Sequence, residues 1–210
     1  MTYDGPVTGD PALRKPSALA LLLALTPVAS ALAADTYAID PVHTRVAFRV
    51  MHAGLSPSIG TLSGPTGRIV FDEHDIAASR VEVAIPLARL DMGDAGWNRK
   101  VLRDFLDAEA HPVARFRSTA VRPISDTLWQ VDGELELAGA RAPVTLLAVL
   151  NAHKRHPLTL RKTLGLQASA DISRKALGID AWPSLVGDTV HLDIAIEAAR
   201  SGDTAGEDTP

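Results

Sequence analysis

The side chains best suited to move a proton or hold a metal in this 210-residue chain are its seven histidines and its scattered carboxylates. Most of them stand alone. His43 has the most favourable neighbourhood: in Asp40-Pro41-Val42-His43-Thr44 a carboxylate three residues back can orient the ring, as a general base requires. The same bond serves a structural corner, and reach to a reacting atom is not written in a sequence. His153-Lys154-Arg155-His156 is the close-spaced pair. A metal would need a third and a fourth ligand. The sequence does not place them, and with Arg161 and Lys162 nearby the segment is expected to be a solvated basic loop. Asp91, Asp94, Asp104 and Asp107 fit a charged outer face on and beside a helix better than paired acid and base.

The usual catalytic signatures are missing: there is no Gly-x-Ser-x-Gly, Ser-x-x-Lys, His-Glu-x-x-His, Walker or dinucleotide-binding glycine pattern. The chain has no cysteine, which removes a thiolate nucleophile, iron–sulfur clusters and disulfides. No catalytic residue, metal or cofactor is therefore assigned. His43 is kept as a polar contact for whatever the fold encloses, and an enzyme using it as base is one alternative.

What positions these groups is a set of segments with period two. Val46, Phe48 and Val50 alternate with Arg45, Ala47 and Arg49; Val81, Val83 and Ile85 with Glu82 and Ala84; Val190, Leu192, Ile194 and Ile196 with His191, Asp193 and Glu197. Ile69 and Phe71, and Val131, Leu135 and Leu137, follow the same rule, with weaker members at 116–120, 144–150 and 166–172. One apolar and one wet face per strand is the mark of antiparallel sheets. About eight such strands with short connections predict an all-β barrel or sandwich. One segment breaks the period: residues 94–106 place Trp97, Val101 and Phe105 at helical spacing behind Asp94 as N-cap, and Trp97 and Phe105 are read as core contacts. Several inward slots are small (Ser118, Ala120, Gly133, Ala148, Ala168 and Ala170). They fit a hollow interior and closely approaching strands equally well.

Composition narrows the partners. A formal charge of −4 and 22% charged residues describe an ordinary globular chain without the basic face that nucleic acid requires. Arg14 and Lys15, the apolar run 18–25 and the small residues 29–34 have the layout of a secretory signal, with cleavage expected between Ala33 and Ala34. Its apolar core is too short to span a bilayer. The expected organisation is an N-terminal extension and signal over 1–33, one domain over 34–200 and a disordered tail over 201–210.

The stretch Ile39-Asp-Pro-Val-His-Thr-Arg-Val-Ala-Phe-Arg-Val-Met-His-Ala-Gly-Leu-Ser56 resembles the opening of the YceI-like family of lipocalin-like proteins. The likeness continues through Gly67–Asp72, Ser79–Ile85, Asp104–Pro112, Phe116–Thr119, Gly133–Leu137, Pro143–Leu146 and Leu185–Val190, in order, across roughly 37–199. The resemblance implies an eight-stranded antiparallel lipocalin-like barrel with one short capping helix, an elongated apolar cavity for a polyisoprenoid or isoprenoid quinone, and a periplasmic location. It favours the hollow reading of the small slots. Where many members carry a histidine, this chain has Ala138–Pro143 and a helix without one near Val101.

The expected function is thus a periplasmic carrier of a long apolar isoprenoid, not an enzyme, with transient membrane contact. An interaction module of a membrane redox or stress system is the further alternative. A homodimer is expected on frequency alone, with no residue to specify it. Alternation assigns the cavity lining to Val46, Phe48, Val50, Ile69, Phe71, Val81, Val83, Ile85, Phe116, Leu135, Leu146, Ile172, Leu192 and Ile194, a list that a one-residue slip in register would turn outward.

Overall fold

Alternating faces need a cover, and this chain covers them by rolling one sheet shut on itself. The computed structural model describes residues 1–5 and 34–203. The expected signal segment and the last seven residues lie outside the described residues. The strands are β1 (Asp35–Ile39), β2 (Arg45–His52), β3 (Ser56–Ser63), β4 (Thr66–Phe71), β5 (Arg80–Pro86), β6 (Leu90–Asp91), β7 (Val113–Pro123), β8 (Leu128–Leu137), β9 (Ala140–Arg155), β10 (Lys162–Ser173) and β11 (Val186–Arg200). One helix, α1 (Ala95–Asp104), joins β6 to β7.

Every pairing is antiparallel and the ring closes through β1 on β11. The eleven segments occupy eight positions, because three strands are broken in two. β1 and β2 lie end to end along β11, with Tyr37 opposite Arg200 and Phe48 opposite Leu192. β4 and β3 follow on β1 and β2, and β5 and β6 follow on β4 and β3. The first break is made by Asp40, whose Oδ1 accepts from the backbone N–H of Val42 and His43. Gly64, at φ 70°, and Pro65 make the second. The result is the eight-stranded antiparallel barrel with one short helix that the pattern and the resemblance predict.

Period two alone finds neither β1 nor β3. β3 reads Ser-Pro-Ser-Ile-Gly-Thr-Leu-Ser, with a single large apolar residue, Leu62, turned inward. Gly60 makes room for its neighbour: a Cβ there would lie 2.4 Å from Cζ of Phe48 and would push that ring aside. A bulge in β7 also changes one expected face. The register shifts between Ser118 and Ala120, so Ala120 pairs with the outward Asp132 while Val121 and Val131 stay buried. Past β11 the chain is still held, since the N–H of Ser201 donates to the carbonyl of Thr36 and that of Lys162 to Oδ2 of Asp203.

Candidate ligand-binding cavity

Each long strand of the barrel serves two interiors. One end is filled: Tyr37, Phe71, Trp129, Leu164 and Leu166 form a dense core in which the Phe71 and Trp129 rings lie 5.7 Å apart and those of Tyr37 and Phe71 6.3 Å apart. The other end holds a cavity of about 290 Å³. Its walls come from β2 (Val46, Phe48, Val50), Leu62, Ile85, β8 (Leu135, Leu137), Ile172 and β11 (Val190, Leu192). Leu177 and Ile179, buried in the segment between β10 and β11, add to the wall, while Trp182 and Leu185 from the same segment and Trp97, Val101 and Phe105 from the helical segment frame the opening.

Of the fourteen side chains that alternation assigns to the lining, Val46, Phe48, Val50, Ile85, Leu135, Ile172 and Leu192 border this cavity. The other seven face the same interior but lie on the filled side. Ile69 and Phe71 are buried in its core, and Val81, Val83, Phe116, Leu146 and Ile194 pack against it. The small slots explain the division. Ala148 and Ala168 belong to the filled core, where they make room for the large rings. Gly133 is covered by Phe116, whose Cζ would be 2.4 Å from a Cβ at that position. Small inward residues here mark close packing, and the open half is walled by larger aliphatics. Phe116 and Leu146 pack both against this core and against a second, smaller buried cluster of Ala142, Val144, Ile172, Leu177 and Ile179, part of which borders the cavity.

The helix sits over the opening rather than in the core. Asp94 accepts from the N–H of Trp97 at 2.9 Å, as its N-cap role requires, yet no residue of α1 is buried. Trp97, expected to be core, instead stands partly exposed at the rim. The aspartates serve turns and ion pairs: Asp91 accepts from the N–H of Gly93, and Asp104 pairs with Arg103 and Lys100. Among the described residues no carboxylate lines the cavity.

Sequence patterning missed the facing wall, the segment 174–186, because it has no period. It is organised by Arg174, only 3% exposed. Its Nε donates to the carbonyl of Gly187, its Nη1 to those of Ile179 and Ala181, and its Nη2 to that of Val186. Two carbonyls of the irregular loop and two from the start of β11 thus converge on one guanidinium, which ties the loop that carries Trp182 and Leu185 to the strand that follows it. Trp182 is held at φ 55° with Nζ of Lys100 4.2 Å from its ring centroid, joining the loop to α1.

His43 lies outside this arrangement. Its Nδ1 meets Oδ2 of Asp40 at 2.9 Å at the bend between β1 and β2, its side chain is 60% exposed, and it does not border the cavity. The Asp40 hydrogen bond raises its pKa. His153 departs from the solvated-loop expectation: β9 runs on to Arg155 and carries the ring into the filled pole, 13% exposed. The Tyr37 hydroxyl and its Nε2 share a hydrogen bond of 2.7 Å, and its Nδ1 faces Oε2 of Glu73 at 3.2 Å. Burial and Lys162 lower the pKa of His153; burial, with Asp35, pushes Tyr37 up to about 12. His156 caps the following turn by accepting from the N–H of Leu158. Among the described residues no three His, Asp or Glu side chains gather where a metal could bind.

Comparison with known proteins gives the same outline. Residues 37–198 match the YceI-like domain. A UPF0312 protein of Pseudomonas putida (strain W619) is 32% identical over 88% of this chain and 96% of its own length. Protein YceI of Escherichia coli (strain UMN026) is 34% identical over 81% of this chain and 90% of its own. Burkholderia cenocepacia BcnA superposes with a TM-score of 0.68 at 23% identity, covering 76% of this chain and 99% of that one. A polyisoprenoid-binding domain from Saccharophagus degradans superposes at 0.61 with 14% identity, covering 78% and 98%.

Proposed function

The chain belongs to the YceI-like domain family, and from that premise we propose that its barrel is a periplasmic carrier that holds the chain of one isoprenoid lipid or isoprenoid quinone. The observation that carries this reading is the open half of the barrel, a cavity walled mainly by Val, Ile, Leu and Phe side chains. Such walls bind by removing apolar surface from water, at ~25 cal/mol per Å² before the costs of association. The volume, about 290 Å³, lies at the lower edge of the ~300–1,000 Å³ usual for small-molecule sites. A longer chain must therefore displace packed side chains such as Phe116, between the two clusters, or pass back through the opening. The signal-like N-terminal segment supports the periplasmic location. Leu55, 85% exposed, and Ile59, 62% exposed, sit on the β2–β3 hairpin beside the opening and fit a transient touch on a bilayer.

The test is native mass spectrometry, then organic extraction, on protein purified without detergent. A stoichiometric adduct that extracts as a prenyl lipid is the expected result. A bare mass, unchanged after incubation with quinones and polyprenols, would sink the proposal.

A further inference from the structure

An amphiphile that buries its tail must also exchange the water around its polar end for protein groups. The polar groups the cavity offers for this are mostly donors. Four polar side chains border it, His52, Ser58, Lys100 and Arg174, and all of them can donate a hydrogen bond. Among the described residues no Asp, Glu, Asn or Gln borders it. Ser58 and a neutral His52 also accept, but the two charged groups only donate, so the lining favours a ligand whose polar end accepts.

The charges go further. Arg174 is buried in the cavity wall, and among the described residues no carboxylate reaches its guanidinium to form an ion pair. Its four hydrogen bonds go to neutral carbonyls and satisfy four of the five N–H groups. Asp188 is hydrogen-bonded instead by the N–H of Lys175 and the hydroxyl of Ser173, which together with Arg174 lower its pKa, so the positive charge is offset only in part. Lys100 brings a second cation to the rim. Its Nζ sits 4.2 Å from the Trp182 ring centroid, and Oδ2 of Asp104, at 3.6 Å, is the carboxylate it touches. The His52 ring lies 6.0 Å from that of Trp97, one helical turn from Lys100, so imidazole, ammonium and two indoles surround the opening.

We infer that this opening is a head-group subsite for an anion, with Lys100 as its contact cation, His52 and Ser58 as further donors, and Arg174 supplying a fixed positive potential from below. The ligand class is a prenyl chain ending in an anionic oxygen group such as a phosphate. A cationic head meets repulsion from both charges. The inference rests on the carrier reading, since it assigns the head of the lipid whose tail that reading places in the barrel.

The test compares geranylgeranyl phosphate with geranylgeraniol, two ligands of one tail, by quenching of Trp97 and Trp182 fluorescence in the full chain. The phosphate is expected to bind about tenfold to a hundredfold more tightly, the range for one hydrogen bond to a charged group. In Lys100→Met that ratio should fall towards one, and Asp104→Asn, which frees Lys100 from its competitor, should raise it. Equal binding of the two ligands, or a ratio untouched by Lys100→Met, overturns the subsite while leaving the carrier reading intact. Binding of neither overturns both.

Discussion

Along β10, Leu164, Leu166 and Ala168 disappear into the filled pole, while Ile172 further along the same strand borders open space. Along β11 the change falls between Ile194 and Leu192. β8, β9, β10 and β11 run through both halves with the same antiparallel pairing. What differs is where the few rings went: Tyr37, Phe71, Phe116 and Trp129 fill one half against alanines and a glycine. Trp97, Phe105 and Trp182 stand around the opening of the other. A barrel of this size has little room to spare, so the placement of four large rings decides which half stays open.

Four experiments would break or sharpen this contrast. Phe116→Ala opens the packing between the two clusters; it should cost about 3–5 kcal/mol in urea unfolding while letting the protein extract longer prenyl chains than the wild type does. Loss of stability with no change in extracted chain length would mean that the ligand does not reach past Phe116. Next, one substitution at two poles: Leu164→Ala, fully buried, should cost about 2–5 kcal/mol, and Leu192→Ala, already beside a void, nearer ~1 kcal/mol. Equal costs would erase the distinction between filled and open halves.

The third experiment is pH. The pKa of His153 is lowered below 6.5 in the fold, so its contribution is complete above pH 6.5 and is lost as pH falls through the folded value. Tyr37, raised from 10.0 to about 12, stabilises below pH 10.0 and loses that contribution as pH climbs towards 12. Hydrogen exchange at pH 5 should therefore loosen the filled pole first, and His153→Gln should flatten the acid slope. Uniform loosening of both poles would contradict this. The smallest effect belongs to the outer face. Glu82, paired with Arg68 and Arg117, should give within about 0.5 kcal/mol on Glu82→Ala, whereas Ile85→Asp, one face over, should abolish lipid extraction.

Alternation carried the barrel, because the inward sides of β2, β5, β8 and β11 are apolar in strict period two. It could not find β3, whose backbone is shaped by Pro57 and Gly60 and whose inward positions are nearly empty of large side chains. Nor could it divide the lining, since a residue's face follows from local period while the space in front of it depends on residues far away in sequence. Gly133 looked like room, and Phe116 from the neighbouring strand occupies it. The rim was illegible for a further reason. Its loop is shaped by one buried arginine gathering carbonyls, and nothing in Arg174-Lys-Ala-Leu-Gly178 announces that.

The closure of the ring through β11 also sets an order of events. Every other neighbour in the meander is adjacent in sequence, but β1 and β2 can find their partner edge only when the last strand of the domain exists. Until then a growing chain carries two long unsatisfied edges, one on β10 and one along β1 and β2, the kind of surface that pairs with other chains. Folding should accordingly be slow and end in a single late step, as pairings between distant parts of a chain generally are. A chain stopped short of Val186 would be a sheet with open sides, prone to aggregate however well its other strands were formed.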